Sequence, residues 1–164
     1  MNQQLEWTTS EFHQLSGIEV YEMLALRVAV FVVEQNCPYQ EVDGHDETAL
    51  HVFGKDENGI IAYARLLPAG EKYDCPSIGR VIIRSDHRGK GVGHNLIEKC
   101  VSLIDENWKP ERIKLQAQAH LESFYATHGF KTESEPYDED GIPHIDMIRL
   151  TGSFQSSRKG YTTV

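Results

Sequence analysis

Apolar residues recur along the chain with two different periods, and each change of period marks a new element. Ile18, Leu24, Val28 and Phe31 follow a roughly helical spacing. Ser16 with Glu19 three residues later has the pattern of a capping box, so a first helix is expected from there to about Phe31. The next segment, residues 37–47, carries Pro38 and Gly44 among polar side chains and reads as a loop. Residues 48–70 hold two short runs rich in Val, Ile, Phe and Tyr on either side of the turn at residues 56–59, which predicts an antiparallel hairpin. Another strand is expected over residues 77–84. Leu96, Ile97, Cys100, Val101 and Ile104 then share one helical face, and Ile113, Leu115 and Ala117 alternate as a strand does. Residues 121–130 read as a short helix stopped by Gly129, and residues 141–150 alternate again. This order predicts an α/β fold with a mixed sheet flanked by helices.

Composition narrows the picture. The 164 residues, 40% of them hydrophobic, suit one core and one domain over residues 1–150, followed by a polar tail at 151–164. A net charge of −9 argues against a nucleic-acid or membrane-surface partner, because neutralising phosphates takes clustered Lys and Arg. Cys37, Cys75 and Cys100 are odd in number and widely spaced, as reduced thiols are. The N-terminal residues have neither a basic nor an apolar leader region, and about 18 apolar residues nowhere run together. A soluble, cytoplasmic protein is expected.

A local basic spot in so acidic a chain stands out. Arg88, Gly89, Lys90, Gly91, Val92, Gly93 and His94 lie between a predicted strand and a predicted helix. Alternate glycines open backbone conformations closed to other residues and expose successive N–H groups. At a helix start those groups form a nest for phosphate, and Arg88 and Lys90 add charge, so a diphosphate is the expected guest. The spacing matches neither the dinucleotide fingerprint GxGxxG nor the P-loop GxxxxGK[ST].

Residues 81–97 resemble the acetyl-CoA signature of the GNAT superfamily of N-acetyltransferases, with Arg88, Gly91 and Gly93 at its R/Q-x-x-G-x-G/A positions. Residues 121–130 are similar to that family's late helix, whose tyrosine, here Tyr125, precedes a Gly-Phe pair by four residues. Residues 27–51, 117–125 and 139–147 resemble the ElaA-type branch. Ser85 stands where the family often has proline. The resemblance implies a GNAT-like acyl-CoA N-acyltransferase fold with a mostly antiparallel sheet. It further implies acetyl-CoA as co-substrate, held by backbone of Val81, Ile82 and Ile83, by the loop from Arg88 to His94, and by Gln118 in place of a common asparagine. The strand ending near Gln118 should splay away from the one before it. An oxyanion donor is expected near Ile82 or Ile83.

Acetyl transfer needs a neutral amine, a donor for the developing oxyanion and a proton for the departing thiolate. Tyr125, a phenol protonated at neutral pH, is the expected general acid. Glu34, His51, His120 and His144 are candidates for the base, with Glu34 and His144 ranked first; desolvation behind the apolar run 30–33 is expected to raise the Glu34 carboxyl. Glu41, Asp43, Asp46 and Glu47 border the cleft that the resemblance implies, so Glu41 and Asp43, with Glu34 and His144, are expected to meet a cationic amine. Asp43, His45 and Asp46 crowd too closely to converge on a metal, and none is expected. The partners expected are thus a small-molecule or peptide amine and, through exposed sheet edges, a second copy of the chain. A non-catalytic acyl-CoA sensor and a transferase for longer acyl chains stay open.

Overall fold

A computed structural model describes residues 4–151, so the expected tail falls, Thr151 apart, outside the described residues. One sheet runs through the molecule. In chain order it comprises β1 (Glu6–Glu11), β2 (Leu50–Asp56), β3 (Gly59–Leu67), β4 (Ser77–Ile83), β5 (Arg112–Gln118), β6 (Lys131–Thr132), β7 (Tyr137–Glu139) and β8 (Ile142–Leu150). The spatial order is β1-β2-β3-β4-β5-β8-β6, with β7 on β8, and β4–β5 is its parallel pair. Helices α1 (Gly17–Val28), α2 (Val92–Trp108) and α3 (Glu122–Ala126) flank it. Among the described residues no helix is long and apolar enough to cross a membrane.

Alternation sends one side of each strand to one helical layer. Ala62, Ala64 and Leu66 of β3 with Leu115 and Ala117 of β5 pack against Leu96, Ile97, Cys100 and Ile104 of α2. Phe53, Tyr63 and Ile82 turn the other way and meet Met23 and Val30. The α1 capping box forms as read: Glu19 N–H donates to Ser16 Oγ at 3.2 Å and Ser16 N–H to Glu19 Oε2 at 2.8 Å. The helix does not stop near Phe31. It continues as a π-helical turn, Ala29–Glu34, in which Gln35 N–H reaches Val30 C=O and Cys37 N–H reaches Val32 C=O.

Strand β1 was not expected. Its residues carry one large apolar side chain, Trp7, and otherwise read as polar. The complement lies on β2: Gly54 stands opposite Trp7 in the register, and a Cβ there would come within 3.0 Å of the Trp7 ring. The partner's missing side chain, which β1 itself does not encode, makes room for the indole.

The loop at residues 37–47 is clamped by three arginines. Arg27, fully buried on α1, places Nε 2.7 Å from Glu41 Oε1 and Nη1 2.6 Å from Asp46 Oδ1. Arg65 of β3 grips Asp43 with both terminal nitrogens, at 2.8 and 2.7 Å, and reaches Asp46 at 3.1 Å. Arg80 of β4 donates to Glu41 at 2.8 Å and to Asp43 at 3.2 Å, and the Tyr39 hydroxyl also bonds Glu41. Burial alone would push Asp43 and Asp46 up; bonds and charge from Arg65 on the first, and from Arg27 and Arg65 on the second, outweigh it and hold both low. Carboxyls depressed in the folded state stabilise it above their unfolded pKa of about 4 and lose that contribution as pH falls through the folded values. The urea midpoint is therefore expected to change little between about pH 7 and 5 and to fall below about pH 4. Asp43→Asn should flatten that decline; an unchanged profile would remove the clamp as its cause.

Candidate active site

Strands β4 and β5 pair only at Ser77↔Lys114 and Ile78↔Leu115 before parting, so the expected splaying is present. The gap opens into a cleft of about 820 Å³. Between the pairs Tyr63↔Ile82 and Arg65↔Gly79, two residues of β4, Arg80 and Val81, oppose the single Ala64 of β3, a β-bulge. Arg80 has φ +51 there, a conformation rare for a residue with a side chain, and its bonds to Glu41 and Asp43 hold it. Arg84 N–H donates to Ile61 C=O at 2.8 Å, so alternation turns Ile82 toward β3 and Ile83 toward the cleft. The oxyanion donor expected near Ile82 or Ile83 can thus come only from the Ile83 side of that pair.

The glycine loop divides its work. Gly89 (φ +75) and Gly91 (φ +82) take left-handed conformations, and Gly91 caps α2. Gly93 does not; a Cβ there would sit 3.3 Å from Phe124, so this glycine sets the spacing between α2 and α3. The first backbone bond of α2 is Asn95 N–H to Gly91 C=O, which leaves the amides of Val92, Gly93 and His94 outside the ladder. Gly89, Gly91, Gly93 and His94 line the cleft, as do Val81, Ile82, Ile83 and Gln118; Lys90 and Val92 do not. The Lys90 ammonium donates instead to Asp86 C=O. His94 Nδ1 lies 2.9 Å from His128 Nε2.

Arg88 straddles the mouth. Its Nε donates to Ile83 C=O at 2.9 Å, and its terminal nitrogens meet Glu34 at 2.6 and 3.2 Å. The π-helical turn brings Glu34 there. The expectation of a raised Glu34 pKa is reversed: the Arg88 hydrogen bond outweighs burial and lowers it, which makes Glu34 a weaker base.

Tyr125 and His144 reach the same cleft from α3 and β8. Burial pushes the Tyr125 phenol up, with Cys100 adding to the effect, so it stays protonated. The ring stands edge-on to Phe124 and Phe130. His144, opposite Gln118 in the β5–β8 register, bonds Ile142 C=O through Nδ1 at 2.8 Å. That bond requires the proton on Nδ1 and leaves Nε2 as an acceptor. His51 is a different case: fully buried, between the Tyr63 hydroxyl and Asp46 C=O and outside the cleft lining, it is no base for the cleft. His120 lines the cleft.

Glu41 and Asp43 do not line the cleft; the arginine clamp takes their charge, against the expectation that they meet a cationic amine. Asp43 and Asp46 both bond Arg65, Asp46 also bonds Arg27, and His45 turns to Glu71. Sequence reading missed Lys72, Tyr73, Arg80 and Gln116 in the lining. Lys72 and Tyr73 sit in the β3–β4 connection, where no periodicity signals them. Gln116, on the polar face of an alternating strand, was legible only as the residue facing away from α2.

A sheet parted at one parallel pair, with amides of a glycine turn and a helix start in the gap, is the fold of the acyl-CoA N-acyltransferases. The chain belongs to the GNAT acetyltransferase family, whose Acetyltransferase (GNAT) domain model matches residues 18–150. It is 44% identical to Protein ElaA of Escherichia coli K12 over 147 residues, 88% of this chain and 96% of that one. An acyl-CoA N-acyltransferase crystal structure from Pseudomonas aeruginosa superposes with a TM-score of 0.85 at 41% identity, covering 90% of this chain and 100% of that one. The E. coli ElaA crystal structure gives 0.85 at 42%, covering 89% and 99%.

Proposed function

We propose that this protein transfers the acetyl group of acetyl-CoA to a primary amine in a ternary complex. The observation that carries this reading is the meeting, in one cleft, of the open β4 edge, the free α2 amides, a buried phenol and a histidine with an available Nε2. The α2 amides and the Gly89–Gly91 turn take the diphosphate, and the β4 edge lies along the pantetheine arm as a neighbouring strand would. His144 Nε2 accepts the proton of the incoming ammonium, and the amine nitrogen bonds to the thioester carbon. Ile83 N–H faces the oxyanion, Tyr125 gives its proton to the sulfur as the C–S bond breaks, the second proton lost by the amine nitrogen restores the Tyr125 phenol, and His144 passes the first to solvent. Glu34 holds Arg88 at the mouth rather than moving protons. Three free, buried thiols support a reducing compartment such as the cytoplasm.

The test is release of free thiol from acetyl-CoA with a panel of amines, alongside calorimetry with CoA. Binding without release under every acceptor would leave a sensor, not a transferase. Gly91→Asp is expected to weaken CoA binding about tenfold. Nothing lies within 4 Å of a Cβ at that position, so the effect comes from left-handed backbone strain of about 1–2 kcal/mol and from a carboxylate beside the amides. Gly91→Ala carries the strain without the charge and should fall between the two.

A further inference from the structure

The cations that line the cleft are Arg65, Lys72, Arg80 and Arg88. Three of them are neutralised: Arg65 by Asp43 and Asp46, Arg80 by Glu41 and Asp43, Arg88 by Glu34. Lys72 differs. Its Nζ donates to the neutral Gln116 Oε1 at 3.0 Å and lies 5.4 Å over the Tyr73 ring; the side chain is exposed, and among the described residues no carboxylate stands within ion-pair distance of it, Glu139 acting on it only from farther away. Beside it the Tyr73 hydroxyl is buried with no hydrogen-bond partner. Lys114, 4.7 Å over the same ring, is spent on Asp146 at 3.1 Å. The wall thus holds an unspent positive charge and an unsatisfied donor side by side, an arrangement suited to an oxyanion.

Position fixes what that oxyanion belongs to. Gln116, which seats Lys72, and Gln118, opposite His144, face the same side of β5 two residues apart. That is a span of about 7 Å along a strand. Glu139, the last residue of β7, and Asp140, in the turn that follows, line the cleft as well and supply negative charge. A molecule with an ammonium at one end and an oxyanion a few bonds away satisfies the amine site and Lys72 together.

We propose that the acceptor is an amine bearing a carboxylate or a phosphate, recognised by Lys72 and Tyr73, rather than a polyamine or a simple alkylamine. This rests on the transferase reading above. The added negative group neutralises Lys72 as Glu41, Asp43, Asp46 and Glu34 neutralise the arginines.

The experiment follows thiol release from acetyl-CoA with matched acceptors: amino acids of increasing chain length, aminoalkyl phosphates, and the corresponding alkylamines, amino-acid amides and polyamines. The oxyanion-bearing amines are expected to show at least tenfold higher kcat/KM, with the carboxylate and phosphate series deciding between the two groups. Lys72→Met should erase that preference by raising KM for the oxyanion-bearing amines, and Lys72→Arg should retain it. Calorimetry should find CoA affinity unchanged in both variants. Release that is best with oxyanion-free amines, or an equal loss on every amine in Lys72→Met, overturns the inference while leaving acetyl transfer in place. CoA binding with no release from any amine overturns both.

Discussion

Arg27→Met should lower the free energy of unfolding by about 3–5 kcal/mol, read as a drop in the urea midpoint, because it strips one partner from each of two buried carboxylates. Arg27 is completely buried, and its Nε and Nη1 meet Glu41 and Asp46. Methionine fills most of the volume, so little of the effect is cavity; what is left behind is charge. Glu41 keeps Arg80 and Asp46 keeps Arg65, so the double variant Arg27→Met, Glu41→Gln is expected to recover part of the loss. A single variant as stable as the parent would show that the clamp contributes nothing net, as some buried ion pairs do. Catalysis should suffer as well, since the same network holds the strained Arg80 of the β4 bulge.

Tyr125→Phe is expected to cut kcat by about 10²–10³ while leaving CoA affinity within a factor of two, by single-turnover kinetics and calorimetry respectively. The substitution keeps the ring and its edge-on contacts with Phe124 and Phe130, and so removes only the hydroxyl. Because burial raises the phenol, the acid form persists into alkaline solution, and no loss of kcat traceable to Tyr125 should appear below about pH 10. Equal rates in both proteins would take Tyr125 out of the mechanism.

What was readable in the chain follows a physical division. Periodic elements were legible because burial imposes a period: α2, β5 and β8 lie where their apolar spacing puts them. The glycine loop was legible because left-handed turns select for one residue type. Three things were not. β1 depends on the absence of a side chain at Gly54, a fact written on its neighbour. The π-helical turn adds a residue without changing composition, and so Glu34 moved into the reach of Arg88. The acidic loop looked free to meet an amine because its arginine partners lie 14 to 39 positions away. Charge signs were visible in the sequence; which charges cancel was not, and that distinction is what singles out Lys72.

Two backbone rungs join β4 to β5, whereas each half of the sheet is laced along most of its length. A tilt of one half against the other breaks fewer hydrogen bonds than parting β2 from β3 or β5 from β8. Backbone bonding is sparse at that seam, and a chain of atoms lying in it as a temporary extra strand is expected to stiffen the molecule there.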